Sequence, residues 1–161
     1  MIFRTTVRPD DPQRIRDIVT STGFFYDHEI AVAVELCEEN LAKGEEKSGY
    51  FFVFADDETT GRTLGYACYG EIACTRQRYD LYWMGVHADA RGKGIGKLLM
   101  KETDKAIAAR GGEIVYIETS SREKYLPTRE FYRSTGCKLE AELKDFYDNG
   151  DNKVIYTRRV R

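Results

Sequence analysis

The chain contains few of the residues from which metal centres and disulfide-stabilised folds are built. Its 161 residues include two histidines and four cysteines, and no two cysteines have Cys-x-x-Cys spacing. Neither a zinc site nor a disulfide framework is therefore predicted, and we expect no metal cofactor. Apolar runs are also short: none approaches the roughly 18 residues of a membrane-spanning helix, and the N-terminus has no apolar leader core. These features predict a cytoplasmic protein without a membrane partner.

The chain has no large excess of positive or negative charge. The 25 basic and 27 acidic residues give a formal net charge of −2, which provides no general attraction to nucleic acid. Hydrophobic residues make up 42% of the chain, enough for a domain of this length to bury a core. No internal repeat, low-complexity stretch or linker is present, so residues 1–161 are predicted to form a single domain.

Hydrophobic periodicity and turn signals predict elements in the order β-α-α-β-β-β-α-β-α-β-β. The predicted strands are residues 2–7, 50–55, 63–71, 79–86, 114–119, 139–147 and 154–159. Apolar residues at three- and four-residue steps predict one helix that ends before Gly23, two others at about 28–43 and 95–109, and a short fourth helix that opens at Pro127. The strand, helix and strand within residues 79–119 predict parallel pairing, whereas Asn149-Gly150 predicts a hairpin, so the sheet is expected to be mixed.

A basic, glycine-rich turn lies between the strand at residues 79–86 and the next helix. Its sequence is Arg91-Gly92-Lys93-Gly94-Ile95-Gly96-Lys97. Glycine lacks a Cβ atom, so the backbone of the turn can approach a ligand closely and adopt positive φ values. The first amides of the helix have no intrahelical partner, and three basic side chains add full positive charges. This combination favours a diphosphate ligand. The alternative interpretation is that the segment is only a solvated, glycine-rich surface turn.

Two common phosphate-binding loops do not fit this spacing. A Walker A loop ends in Gly-Lys-Ser/Thr, but Gly96-Lys97 is followed by Leu98, and Arg91 stands at the position of the first glycine. A dinucleotide-binding Gly-x-Gly-x-x-Gly loop would begin at Gly92 and fails at Lys97. Neither a Mg²⁺-nucleotide site nor a Rossmann cofactor site is therefore predicted.

The spacing that the turn satisfies is Arg/Gln-x-x-Gly-x-Gly/Ala, at Arg91, Gly94 and Gly96. This motif resembles the pyrophosphate-binding signature of the GNAT superfamily of acyl-CoA-dependent N-acyltransferases. The order of elements is similar to that of the family over nearly the whole chain. The resemblance implies a GNAT-like α/β (α+β) domain with a twisted, mixed, mostly antiparallel sheet of about seven strands and about four flanking helices. It also implies acetyl-CoA as the cosubstrate.

The same resemblance implies which residues hold coenzyme A. In the family, the strand before the turn binds the pantetheine arm and the turn binds the pyrophosphate. The cofactor-binding residues implied for this chain are Met84, Gly85, Val86, Arg91, Gly92, Lys93, Gly94, Ile95, Gly96 and Lys97. A second family motif is altered here, because Tyr125 stands in place of its asparagine and Gly136-Cys137 in place of Gly-Phe.

Amide formation from a thioester requires a group that deprotonates the amine and a group that protonates the departing thiolate. Asp80 precedes Arg91 by eleven positions, where histone-modifying members of the family carry an acidic base. Glu118, Glu71 and an ordered water are further candidates for the base. Tyr132 matches the family's proton donor, and the ordinary pKa values of a thiol and a phenol, about 8.5 and 10, are close enough for this transfer.

The sequence therefore predicts an N-acetyltransferase that moves an acetyl group from acetyl-CoA to a primary amine by direct attack in a ternary complex. The acceptor is expected to be a small molecule or a peptide amine, and the protein a monomer or a homodimer. An acyl-cysteine route through Cys68 or Cys137 is disfavoured, because the sequence places no histidine to activate either thiol. The alternatives are a noncatalytic module of the same fold that binds or senses acyl-CoA, and an interaction domain whose turn holds another nucleotide.

Overall fold

The computed structural model describes residues 1–161 and contains seven strands and five α-helices. The strands are β1 (Ile2–Arg4), β2 (Phe51–Asp56), β3 (Thr63–Glu71), β4 (Arg78–Val86), β5 (Ile114–Ser120), β6 (Lys138–Asp148) and β7 (Asp151–Arg159). The helices are α1 (Asp11–Thr22), α2 (Asp27–Lys43), α3 (Glu45–Ser48), α4 (Ile95–Ala109) and α5 (Leu126–Ser134). None of them has the length and apolar character needed to cross a lipid bilayer.

All strands belong to one mixed sheet with the order β1-β2-β3-β4-β5-β7-β6. Antiparallel pairing joins β1 to β2, β2 to β3, β5 to β7 and β6 to β7. β4 and β5 run parallel, as a connection through α4 requires. The predicted fold class, a mixed and mostly antiparallel sheet with flanking helices, is therefore confirmed.

Three predictions of element boundaries are wrong, and one of them is the start of β7, which lies at Asp151 and not at residue 154. β1 ends at Arg4 and not at residue 7, because the Arg4 guanidinium donates hydrogen bonds to the Thr6 carbonyl and the Asp11 carboxylate, both at 2.7 Å, and the chain turns there. A fifth helix, α3, follows Gly44, where the pattern predicted only a stop. Gly44 has a φ of 81°, and this conformation lets the chain leave α2 and begin another helical turn at once.

The chain packs into two compact units, which are described separately. Unit 1 comprises Met1–Gly70 and Trp83–Ala106, and unit 2 comprises Glu71–Tyr82 and Ile107–Arg161. In unit 1, apolar residues of α1 and α2 pack against aromatic and small residues of β2 and β3. The buried cluster is Ile15, Ile18, Val19, Ile30, Ala33, Val34, Cys37, Phe52, Phe54, Tyr66 and Cys68.

Unit 2 has a core on one face of its part of the sheet. The side chains of that face are buried: Tyr79 and Leu81 on β4, Val115 and Ile117 on β5, and Val154 and Tyr156 on β7. α5 packs on this face through Tyr132, whose ring centre lies 5.8 Å from that of Tyr156. Because side chains alternate along a strand, the residues between these positions lie on the opposite face.

A buried ion-pair network ties β1 to α1 and β2 in unit 1. The Arg4 guanidinium lies 2.6 Å from Asp11 Oδ1 and 2.7 Å from Asp56 Oδ2, and Asp11 is fully buried. Burial would raise the pKa of Asp56, but hydrogen bonds from Arg4 and Thr63 outweigh burial and hold that pKa below its ordinary value of 3.8. The stabilisation by ionised Asp56 is therefore present above pH 3.8 and is lost as the pH falls through the lowered pKa.

We expect Arg4→Lys to lower the free energy of unfolding by about 2 kcal/mol, because one ammonium cannot replace a forked contact to Asp11 and a second bond to Asp56. Arg8→Lys is the matched control. The Arg8 side chain is 52% exposed and lies 3.4 Å from Asp56, so its loss should be below about 0.5 kcal/mol. Urea unfolding at pH 7 would measure both, and equal losses would contradict the network. The loss in free energy of unfolding caused by Arg4→Lys should become smaller as the pH falls and Asp56 is protonated.

Candidate active site

The backbone of the basic turn has the open conformation that its glycines permit. Gly92 and Gly94 have φ values of 75° and 78°, in the left-handed region that favours glycine. A Cβ atom built at either position would meet no other atom within 4 Å. The glycines are therefore needed for the backbone conformation, and the space beside them is free for a ligand.

Unpaired amides follow the turn at the start of α4. The hydrogen bond that opens the helix runs from the Leu98 amide to the Gly94 carbonyl, at 3.2 Å. The amides of Ile95, Gly96 and Lys97 precede that bond and so have no acceptor within the helix. Together with the positive end of the helix dipole, these donors suit an anion.

The basic side chains of the turn are available to such an anion. Lys93 and Lys97 are exposed, and neither forms an ion pair with a carboxylate of the chain. Arg91 is also exposed, and its guanidinium carbon lies 5.4 Å from the centre of the Phe24 ring, a cation-π contact that keeps the charge at the turn. The structure thus brings the residues predicted for the pyrophosphate together in unit 1.

The residues predicted for the pantetheine arm, Met84, Gly85 and Val86, are the last three of β4 and are half-buried. A Cβ atom on Gly85 would lie 3.4 Å from Ile18 Cγ2 of α1, so the strand packs closely on that helix. The next amide, that of His87, donates to the Leu64 carbonyl of β3 at 2.8 Å. The end of β4 is therefore held by α1 on one face and by β3 at one edge.

A cavity of about 460 Å³ lies elsewhere in unit 1, and His87 is part of its lining. Its lining residues His87, Arg62 and Arg14 are already paired with carboxylates. His87 Nδ1 lies 2.7 Å from Asp89, Arg62 lies 3.0 Å from the same carboxylate, and Arg14 lies 2.7 Å from Asp10. The His87 imidazole is therefore engaged by a neighbouring acid in the loop after β4.

Unit 2 carries both leading candidates for the base on one face of its sheet. Asp80 of β4 is in register with Tyr116 of β5, and Glu118 of β5 is in register with Ile155 of β7. Alternation along each strand places their side chains on the face opposite the core. We use the name polar face for six residues on this side of the sheet, Asp80, Tyr116, Glu118, Lys153, Ile155 and Thr157. The remaining candidate base, Glu71, is exposed at the end of β3.

Asp80 is half-buried, and its carboxylate forms neither a hydrogen bond nor an ion pair within the chain. Burial raises the pKa of Asp80, the nearby Glu118 carboxylate raises it further, and Lys153 partly opposes both effects. A partly buried carboxylate without a partner costs free energy. Such groups are concentrated at functional sites, where a ligand supplies the missing partner.

Glu118 is paired with a residue that the sequence pattern did not single out. Lys153 Nζ lies 2.8 Å from Glu118 Oε2 and 3.8 Å from the centre of the Phe146 ring. The predicted strand began at residue 154, so Lys153 fell outside it. The alternation of β7 would have placed Lys153 on the side of Ile155, but no local signal indicates that β7 lies beside β5.

Tyr132 lies on the core side of unit 2, opposite the polar face. Burial raises the pKa of its phenol, and Cys137 and Tyr156 add to the increase, so the hydroxyl is protonated at neutral pH. This is the protonation state that a proton donor requires. The pairing of β4 with β5 ends at Leu81 and Ile117, next to Asp80 and Glu118.

Comparison with known proteins agrees with this geometry. A family model described as an acetyltransferase (GNAT) domain matches residues 47–136. Among solved structures, a GNAT-family protein from Desulfovibrio desulfuricans, named as a candidate acetyltransferase, has a TM-score of 0.94 and 42% sequence identity, with 99% of both chains covered. No significant match was found among curated proteins.

Two more distant structures share the fold. An aminoglycoside 6'-N-acetyltransferase complexed with coenzyme A has a TM-score of 0.76 and 19% identity, with 100% of this chain and 98% of that chain covered. A ribosomal-protein-alanine N-acetyltransferase from Brucella melitensis has a TM-score of 0.75 and 19% identity, with 99% of both chains covered. Since the family model spans more than half of the chain and the Desulfovibrio structure matches nearly all of it, this chain belongs to the GNAT family of acetyltransferases.

Proposed function

We propose that the protein is an N-acetyltransferase that transfers an acetyl group from acetyl-CoA to a primary amine by direct attack in a ternary complex. The observation that carries this proposal is the turn from Arg91 to Lys97, where unpaired amides and basic side chains surround open space. A diphosphate supplies the acceptors and negative charges that this turn lacks. The coenzyme A complex of the aminoglycoside N-acetyltransferase supports the choice of ligand.

The turn and the end of β4 would bind different parts of the cosubstrate. Gly94, Ile95, Gly96 and Lys97 would bind the pyrophosphate through backbone amides, and Arg91, Gly92 and Lys93 lie beside it. Met84, Gly85 and Val86 would hold the arm of the cosubstrate along the strand. When bound, acetyl-CoA supplies an acetyl group already activated as a thioester.

Asp80 and Tyr132 would each move one proton of the reaction. Asp80 accepts a proton from the acceptor ammonium, which leaves a neutral amine, and Glu118 is the second candidate for this role. The C–N bond then forms and the C–S bond breaks. Tyr132 donates its proton to the departing sulfur, and the nitrogen releases its second proton to water, which leaves a neutral amide and a neutral thiol. Burial raises the pKa of Cys68 well above its ordinary value, which disfavours a thiolate and supports direct attack over an acyl-cysteine route.

Release of free coenzyme A from acetyl-CoA across a panel of primary amines tests the proposal. Chromatography is the suitable readout, because the exposed Cys74 would itself react with a thiol reagent. We expect release that depends on the amine. Tight binding of coenzyme A without release for any amine would instead identify a noncatalytic acyl-CoA-binding module, and failure to bind coenzyme A would indicate a different ligand for the turn.

Tyr132→Phe is expected to lower kcat about 10-fold while leaving the affinity for coenzyme A unchanged, since it removes one proton donor and keeps the packed ring. Tyr156→Phe is the matched control, because its ring packs against Tyr132 and its hydroxyl has no proposed role. That variant should stay within about 2-fold of the wild type. Equal kcat values for wild type and Tyr132→Phe would remove Tyr132 as the acid.

A further inference from the structure

The polar face of unit 2 holds two carboxylates and only one ammonium. Lys153 neutralises Glu118 at 2.8 Å, whereas half-buried Asp80 has no partner. The proposed acetylation supplies the missing cation, because a primary amine arrives at neutral pH mainly as an ammonium. The acceptor ammonium would therefore form an ion pair with Asp80, as the Lys153 ammonium does with Glu118.

The surroundings of Lys153 have the chemistry of a site for an alkylammonium ion. Its Nζ lies against a carboxylate and 3.8 Å from the centre of the Phe146 ring, and only 14% of the side chain is exposed. A carboxylate combined with an aromatic face attracts an ammonium through an ion pair and a cation-π contact. The protein's own side chain thus occupies a second ammonium position on the face that carries Asp80.

Other charged groups near this position are neutral or already paired. Burial raises the pKa of Tyr147 to about 12, with further contributions from Glu118, Asp151 and Tyr125, so its hydroxyl is uncharged at neutral pH. Asp151 accepts a hydrogen bond from Ser120 and lies 3.1 Å from Arg122. The site therefore has one unmatched negative charge, that of Asp80.

We propose that Lys153 determines the acceptor specificity of the enzyme by filling the second ammonium position, so that the acceptor is an amine with one positive charge and diamines are excluded. Asp80 binds the single ammonium. A second ammonium on the acceptor would meet the positive charge of Lys153 and would find Glu118 already occupied. This inference rests on the proposed N-acetyltransferase activity.

Lys153→Met tests the inference, because methionine removes the charge and keeps an unbranched apolar side chain beside Phe146. Butylamine and butane-1,4-diamine, which differ by one terminal amine, would be compared through kcat/KM with acetyl-CoA. We expect the diamine-to-monoamine ratio to rise at least about 10-fold in the variant, since Glu118 then binds the second ammonium. Lys138→Met is the matched control, because Lys138 is 76% exposed, pairs with Glu140 on β6 and loses the same charge. Its ratio should equal that of the wild type.

A double variant, Lys153→Met with Glu118→Gln, should lose the gain for the diamine, because the freed carboxylate is then absent. Calorimetric titration of the coenzyme A complex with the diamine compares the affinities of wild type and variants for the diamine without turnover. If Lys153→Met does not fold, Lys153→Gln takes its place. An unchanged ratio in an active enzyme would overturn the inference alone. Absence of coenzyme A release with every amine, in wild type and variants, would overturn the proposed activity and the inference together.

Discussion

Gly94→Asp is expected to weaken coenzyme A binding at least about 100-fold, which corresponds to ~2.7 kcal/mol. The new carboxylate would stand at the start of α4, where it can accept hydrogen bonds from the free amides that the ligand needs. It would also repel the diphosphate at short range. Calorimetric titration with coenzyme A measures the loss, and undiminished affinity would overturn the assignment of the turn.

The Gly94→Asp variant should still fold, so a loss of coenzyme A binding can be attributed to the binding site and not to unfolding. Aspartate is a favourable residue at the start of a helix, and a side chain at Gly94 has open space. The remaining cost is the left-handed backbone, on the order of 1–2 kcal/mol. Gly49→Asp carries the same cost as a control, because Gly49 also lies in unit 1, has a φ of 73° and meets no atom within 4 Å. Gly49→Asp should bind coenzyme A like the wild type.

Asp80→Asn is expected to lower kcat/KM about 100- to 1,000-fold and at the same time to raise the thermal stability of the protein. The first effect follows from the loss of the group that takes the proton from the acceptor. The second follows from the raised pKa of Asp80, which arises mainly from burial. A group with a raised pKa stabilises the fold below its ordinary pKa of 3.8 and loses that contribution as the pH rises through the raised value. The neutral amide therefore removes a cost at pH 7.

Glu118→Gln is the control for this experiment, because it removes a carboxylate from the same face. Glu118 raises the pKa of Asp80, so this variant should shift the acid limb of the kcat/KM profile to lower pH and retain most of its activity. Undiminished kcat/KM in Asp80→Asn would exclude Asp80 as the base. A larger loss in Glu118→Gln than in Asp80→Asn would give the role to Glu118.

Local patterns were sufficient to predict most of the elements. The apolar repeat of α4, the Asn149-Gly150 hairpin and the run from Thr63 to Glu71 are each encoded by neighbouring residues, and each was predicted within a few positions. The boundaries that were wrong depend on distant partners or on a special backbone conformation. β1 ends where Arg4 turns to Asp11, and α3 starts because Gly44 adopts a positive φ.

The polar face was harder to predict. Asp80 and Glu118 were chosen as separate candidates, and sequence spacing could not show that they share a face with each other and with Lys153. Their common face depends on the register of β4 with β5 and on the insertion of β7 between β5 and β6. Strand order in a sheet is set by contacts between residues far apart in the chain, and no short pattern records it.

The difference in predictability between the turn and the polar face has the same physical origin. The turn proposed to bind the diphosphate is seven consecutive residues at a helix start, so its donors and charges are set by local geometry and can be recognised from the letters alone. The polar face is assembled from three strands, and its electrostatics depend on which charges burial leaves paired. Tertiary packing therefore decides that Glu118 is neutralised, that Asp80 is left without a cation, and that Lys153 stands where a second ammonium would bind.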